Sequence, residues 1–241
     1  MIDRLAARLV ADGYMKQAEV TNPLVIILRA CSVPAVDVAV WLNLHPNFVT
    51  AISQLLGFIG AWLYFLDEKL AFILFWMASV ILDYADGTVA RKCGKESRFG
   101  YLFDMLGDRV KLLALILAWA CFNSSWLAIG LSVCVLAVLS MMEVTGHLLV
   151  KHPSNVDRRD DGQPSPFYET FFSFNMHTFA IFGVGLMAGS GISLLVVVWL
   201  LVVLVINLND DLHGRIFDDG RFSIRWNDAL LAKLRWRGGK H

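Results

Sequence analysis

Four aspartates, Asp83, Asp86, Asp104 and Asp108, fall in one 26-residue segment at the edge of a hydrophobic stretch, DYADGTVARKCGKESRFGYLFDMLGD. Carboxylates at membrane depth are costly, so each is a candidate for function. Asp83, Asp86, Gly87 and Ala90 follow i, i+3, i+4, i+7 spacing, one stripe of a helix. Gly100, Asp104 and Asp108 follow i, i+4, i+8 spacing on the next. Two helices joined by the polar stretch Lys92 to Ser97 would bring all four carboxylates to one point. Negative charges gathered so closely repel one another, and hard divalent cations with oxygen ligands relieve that repulsion. Mg²⁺ is the natural choice because it is commonly shared with substrate phosphates. The residues alone therefore suggest a binuclear Mg²⁺ site for phosphoryl chemistry at a membrane surface.

The rest of the chain has to supply a membrane scaffold for that segment. Of 241 residues, 57% are hydrophobic and only 17% charged, with mean hydropathy +0.58. A soluble domain of this length cannot hide so much apolar surface, so the expectation is one all-α integral membrane protein domain. The net charge is zero, and no nucleic-acid partner is expected. Cys31, Cys93, Cys121 and Cys134 show neither CxxC nor zinc spacing. The start, MIDRLAARLVADGY, has no long apolar core and does not read as a secretory signal.

Six stretches of roughly 20 residues can span: 48–66, 70–91, 98–121, 126–150, 167–188 and 191–211. Residues 1–44 read as interfacial amphipathic helices. Leu5, Leu9, Val10 and Tyr14 share a face there, while 23–42 carries Arg29, Pro34 and Asp37. A first span at 23–42 is the alternative. The division is then 1–44 interfacial, 45–212 six-helix domain and 213–241 cytoplasmic tail. Basic residues cluster after the second, fourth and sixth stretches (Lys92, Lys95, Arg98; Lys151, Arg158, Arg159; Arg215, Arg221, Arg225). Positive-inside logic puts both termini and the Asp-rich loop in the cytoplasm, in the cytoplasmic (inner) membrane.

The segment resembles the signature of the CDP-alcohol phosphotransferase (CDP-alcohol phosphatidyltransferase) family, D-x2-D-G-x2-A-R-x8-G-x3-D-x3-D. Asp83, Asp86, Gly87, Ala90, Arg91, Gly100, Asp104 and Asp108 match all eight fixed positions. Chance gives such a match about once in 10¹⁰ windows. HPNFVT, His45 to Thr50, also looks like the Pro-Asn-x-Val-Thr run often found before the family's first span. The resemblance implies transfer of a phosphatidyl or other phospho-alcohol group from a CDP-alcohol, CDP-diacylglycerol favoured, to an acceptor alcohol, with release of CMP, in phospholipid biosynthesis. It implies two Mg²⁺ ions, with Mn²⁺ as a substitute, and a homodimer with one site per chain. By resemblance Asp83, Asp86 and Asp104 are metal ligands, and Asp108 is both a ligand of the second metal and the general base. Gly87, Ala90 and Gly100 would make room for the nucleotide, and Arg91 would grip phosphate.

The acceptor pocket is read from polar groups at membrane depth. Arg109 and Lys111 lie beside Asp108, Glu143 and His147 are i, i+4 on the fourth stretch, and Glu169, Asn175 and His177 lie near the fifth. Helix–helix hydrogen bonding or snorkelling is the competing role for each. Asp157 to Asp161 reads as a solvated loop. FDMLGDR, Phe103 to Arg109, is similar to its counterpart in phosphatidylinositol synthases and points to a polyol acceptor. Two other functions fit acidic residues in a membrane: an intramembrane Asp-rich prenyltransferase and a divalent-cation transporter. Both Asp pairs lie in one contiguous segment with D-G-x2-A-R, against the first. They cluster at one membrane face, against the second.

Overall fold

The computed structural model describes residues 2–16, 20, 22–149, 176–188 and 190–216. They form eight helices and no strand among the described residues: α1 Ile2–Ala11, α2 Pro23–Trp41, α3 Pro46–Phe65, α4 Lys69–Cys93, α5 Arg98–Asn123, α6 Trp126–Leu149, α7 Met176–Leu186 and α8 Ser190–Ile216. Local chemistry sets several of these boundaries. Asn22 caps α2, its side chain accepting from the backbone N–H of Leu24 and Val25 at 3.0 and 3.3 Å, and Pro23 occupies the first turn. Pro46 does the same for α3 behind the His45 cap. Gly94 ends α4 with φ 62°, a left-handed stop that glycine adopts freely. Ser97 then starts α5 by accepting from the Gly100 N–H at 2.9 Å. The connection between the two Asp-bearing helices is thus only 94–97.

The protein is an all-α integral membrane protein. Among the described residues, four helical segments are long and apolar enough to cross a membrane: Pro23–Trp41, Pro46–Phe65, Lys69–Cys93 and Gly191–Leu208. α5 has the length, but it carries Asp104, Asp108, Arg109 and Lys111 within eight residues. α2 is one 19-residue helix with the length and hydropathy of a span, a form open to both readings of 23–42, an interfacial helix or a first span. Its buried side, including Val25, Leu28, Arg29 and Ser32, packs on α4. The expected fifth span lies partly outside the described residues, as do Glu169, Asn175, the 157–161 loop and the tail beyond 216.

α3 packs against both α4 and α5, and α7 joins α4 to α8. The core between them is built on fully buried Phe72, Trp76, Leu115, Ile116, Trp119 and Phe182. Trp76 donates its indole N–H to the Phe179 carbonyl at 2.8 Å, and its ring fills the notch left by Gly183. Outward faces remain apolar, as a lipid solvent requires; Trp41 and Trp126, at helix ends, are 82% and 90% exposed. Where α3 crosses α4, a Cβ on Gly60 would lie 3.3 Å from the Trp76 backbone nitrogen and 3.5 Å from its Cα. The crossing distance therefore depends on a small residue.

The amino-terminal segment is tied to α2 and α4. Tyr14 donates to Asp37 Oδ1 at 2.5 Å, and Lys92 Nζ lies 3.2 Å over the Tyr14 ring. The bond to Asp37, with lesser contributions from burial and neighbouring negative charge, pushes the Tyr14 hydroxyl up to about 12 from its usual 10.0. Its contribution to stability is complete below the ordinary tyrosine pKa and is lost as pH rises through about 12. Gly60→Leu is expected to force α3 and α4 apart and cost ~1–3 kcal/mol, read as a lower thermal unfolding temperature in detergent. An unchanged temperature would mean that this crossing does not limit the packing.

Candidate active site

α3, α4 and α5 meet around the aspartates, and α3 brings buried polar groups at i, i+3 and i+4: Thr50, Ser53 and Gln54. Thr50 donates its hydroxyl to Asp86 Oδ2 at 2.5 Å. Gln54 Nε2 donates to Asp108 Oδ1 at 3.3 Å. Ser53 gives its one hydrogen to the Ser79 carbonyl at 2.9 Å and lies 3.5 Å from Asp83 Oδ1. Asp83 and Asp86 are themselves buried on α4, 6% and 5% exposed.

Lys111, from the second turn after Asp104, enters the same centre. It is fully buried, with Nζ 2.9 Å from Asp108 Oδ1 and 3.4 Å from Asp83 Oδ1. Two glycines make this reach sterically feasible. A Cβ on Gly57 would stand 2.3 Å from Lys111 Cδ, and one on Gly107 would stand 2.5 Å from Gln54 Cδ. Both side chains thus thread through notches that any larger residue would close.

Carboxylate oxygens of Asp83, Asp104 and Asp108 lie within 4.8 Å of one another. Asp104 Oδ1 is buried and has no hydrogen-bond partner among the described residues. An orphaned carboxylate oxygen in a low-dielectric setting carries a large penalty unless a cation or a proton meets it. A set of hard oxygen donors with one atom left unpaired suits a divalent metal ion. Asp86 is outside that trio and lines an adjoining cleft that Asp104 shares.

That cleft, of about 190 Å³, is lined by Asp86, Gly87, Ala90, Arg91, Gly100 and Asp104, with Asn47, Thr50, Lys95 and Tyr101 among the remainder. The two signature glycines have different surroundings. A Cβ on Gly100 would come 2.8 Å from Asn47 Oδ1, so a larger residue there would have to displace the Asn47 side chain. Among the described residues, a Cβ on Gly87 would meet only Arg91 Nη1, at 3.7 Å, so none of them fills the space beside it. Arg91 is anchored by donating Nη2–H to Thr88 Oγ1 at 3.0 Å. Behind it, buried Arg29 of α2 donates to the same hydroxyl at 3.0 Å and to the Tyr84 carbonyl at 2.6 Å.

The eight signature positions therefore converge on a three-carboxylate centre and the cleft beside it. Arg109 is half-buried on α5, and His177 is buried on α7. Lys111 belongs to the carboxylate centre itself. Glu143 and His147 lie on α6 beyond Met141, where side chains are outside the described residues. Sequence reading passed over Thr50 as a partner of Asp86, Gln54 as a partner of Asp108, and the notches at Gly57 and Gly107. Three polar residues on one face of a span were the available signal for the first two.

An all-helical membrane bundle with buried carboxylates beside an arginine-bearing cleft describes a membrane-embedded enzyme of phosphate chemistry. A family profile described as CDP-alcohol phosphatidyltransferase matches residues 43–208, and the chain belongs to that family. No curated protein and no solved structure matches the chain. Membership carries the general reaction: a transferase moving a phospho-alcohol group from a CDP-alcohol to an alcohol acceptor within a membrane.

Thr50→Val keeps the shape and removes the donor on Asp86. It is expected to lower kcat/KM for the CDP-alcohol by about ten- to a hundredfold, the equivalent of a hydrogen bond to a charged group at ~1.5–3 kcal/mol. Retention of full efficiency would take Thr50 out of the site.

Proposed function

We propose that the protein is a Mg²⁺-dependent CDP-alcohol phosphotransferase that takes a phosphatidyl group from CDP-diacylglycerol, passes it to a small polyol, and releases CMP in phospholipid synthesis. The observation that carries this reading is the cleft in which Asp86, Gly87, Ala90, Arg91, Gly100 and Asp104 face one another beside the Asp83, Asp104 and Asp108 oxygens. Asp83, Asp86, Asp104 and Asp108 would hold the metal. When bound, Mg²⁺ would neutralise pyrophosphate charge and help CMP leave. Mn²⁺ has the same preference for carboxylate oxygen and would substitute.

The chain's own residues do the rest. Arg91, oriented through Thr88, offers a planar fork to the diphosphate. The open side of Gly87 leaves room for the nucleotide. Asp108 accepts the proton of the attacking hydroxyl as its oxygen forms the new bond to phosphorus. The phosphorus–oxygen bond to CMP breaks, and CMP leaves with the electron pair. Gln54 and Lys111 hold the Asp108 carboxylate in place for that step. Phosphoryl transfer relies mainly on such positioning and charge neutralisation.

We further read the site and both termini as cytoplasmic, in the inner membrane. The active unit is a homodimer, with 1–44 packing at the surface, 45–212 carrying the chemistry and 213–241 forming a tail. Basic loops after α4 and after the 126–150 stretch support the orientation.

The test is CMP release by purified protein with Mg²⁺ and CDP-diacylglycerol against inositol, inositol phosphate, glycerol phosphate and serine. One acceptor is expected to support release. Failure with every acceptor and also with CDP-linked head groups would overturn the reading. Asp108→Asn is expected to lose a factor of ~10²–10⁴ in kcat while still binding the CDP-lipid; full activity would remove Asp108 as base. Excess chelator is expected to stop release and Mg²⁺ or Mn²⁺ to restore it, whereas turnover that persists in chelator would sink the metal assignment.

A further inference from the structure

We propose that Lys111 fills one of the two cation positions in the carboxylate centre. Each chain would then bind a single divalent ion there, with the lysine ammonium as the second positive charge. This rests on the metal-dependent reading above and revises its expected two ions to one.

Three observations carry it. Lys111 Nζ bridges Asp83 and Asp108, at 3.4 and 2.9 Å, and those are two of the three carboxylates whose oxygens cluster within 4.8 Å. A cation bridging carboxylates is what a second metal would be. The ammonium is also enclosed on another side, 5.4 Å from the centroid of the Phe179 ring, where the aromatic face attracts positive charge. Finally, the side chain is fixed along its length. It has no exposed surface, and its stem lies in the Gly57 notch, where a Cβ would stand 2.3 Å from Cδ and 2.6 Å from Cγ.

An ammonium held in this way does not step aside for an incoming ion. Leaving would strand a buried charge and break its ion pairs, which is strongly unfavourable. A divalent ion bridging Asp83 and Asp108 would therefore stand against a fixed like charge in a low-dielectric interior, where repulsion is strong. The position left for metal is the one that uses Asp104, whose Oδ1 is buried and without a hydrogen-bond partner among the described residues. The sequence carries the trace of this arrangement as a lysine one helical turn after the last signature aspartate, with its glycine two helices earlier, on α3.

The test is a count of tightly bound Mn²⁺ per full-length chain in lipid nanodiscs by electron paramagnetic resonance, with and without CMP. One ion is expected in the wild type, with the uncoupled hyperfine spectrum of an isolated ion. Lys111→Met, which keeps an unbranched stem in the Gly57 notch, is expected to raise the count to two and give the spectrum of a spin-coupled pair. Two ions in the wild type, or one in both proteins, overturns the proposal. Should Lys111→Met fail to fold, the wild-type count and spectrum decide alone, a coupled pair being the overturning result. Wild-type protein that binds no Mn²⁺ at all would instead bring down the metal-dependent reading, an outcome separate from a count of two.

Discussion

Several carboxylates held together inside a membrane bundle constitute the constraint on which the rest of the structure depends. Such charges are tolerated only where other groups meet them, because the surrounding lipid and packed side chains solvate ions poorly. Each neighbouring helix answers that demand in its own way. α3 offers the Thr50 hydroxyl and the Gln54 amide. α5 offers the Lys111 ammonium. α7 closes over the ammonium with the Phe179 ring, itself held where Trp76 bonds the Phe179 carbonyl. Long polar side chains can reach inward only where glycine clears their path. Gly57 and Gly107 are therefore electrostatic features as much as packing ones: fill either notch, and a carboxylate loses its nitrogen partner.

The aspartate segment was legible in the sequence because helical periodicity converts spacing directly into a shared face. Asp83 and Asp86 on one helix, and Asp104 and Asp108 on the next, had to converge once a connection as short as 94–97 joined them. The all-α membrane fold was legible for a similarly local reason, since long apolar runs can satisfy their backbone in lipid only as helices. What stayed hidden was pairing across distance. Lys111 stood out as a polar residue near the site, yet nothing in its neighbourhood shows that its stem lies against Gly57, more than 50 positions earlier. Thr50 and Gln54 were hidden in the same way. A hydroxyl and an amide in a span announce a polar face, but only tertiary packing shows which carboxylate they meet.

α2 illustrates a different kind of ambiguity. Arg29, Pro34 and Asp37 within 23–42 argue for a helix lying at the interface, because each is costly inside a span. In the folded chain Arg29 is buried, with its guanidinium spent on the Tyr84 carbonyl and the Thr88 hydroxyl and stacked 4.8 Å over the Tyr84 ring. Asp37 meets Tyr14. Charged groups that look costly when read singly find hydrogen-bond partners that composition cannot show. α2 thus buttresses the helix that carries Asp83 and Asp86, and its Arg29 shares Thr88 with Arg91.

The cleft's place at the junction of α4 and α5 also follows from helix electrostatics. α4 ends there, and the partial negative charge of its last carbonyls is offset by Arg91 and Lys92 in the final turn. α5 begins there, with Ser97, Gly100 and Tyr101 on the cleft wall, so the partial positive charge of its first turn borders the same space. The lining thus includes Arg91 and a helix start, both favourable to anions, together with Asp86 and Asp104, which favour cations. A ligand that satisfies both has to bring negative charge and a cation together. A metal-bound diphosphate does so, and neither a bare anion nor a bare cation would.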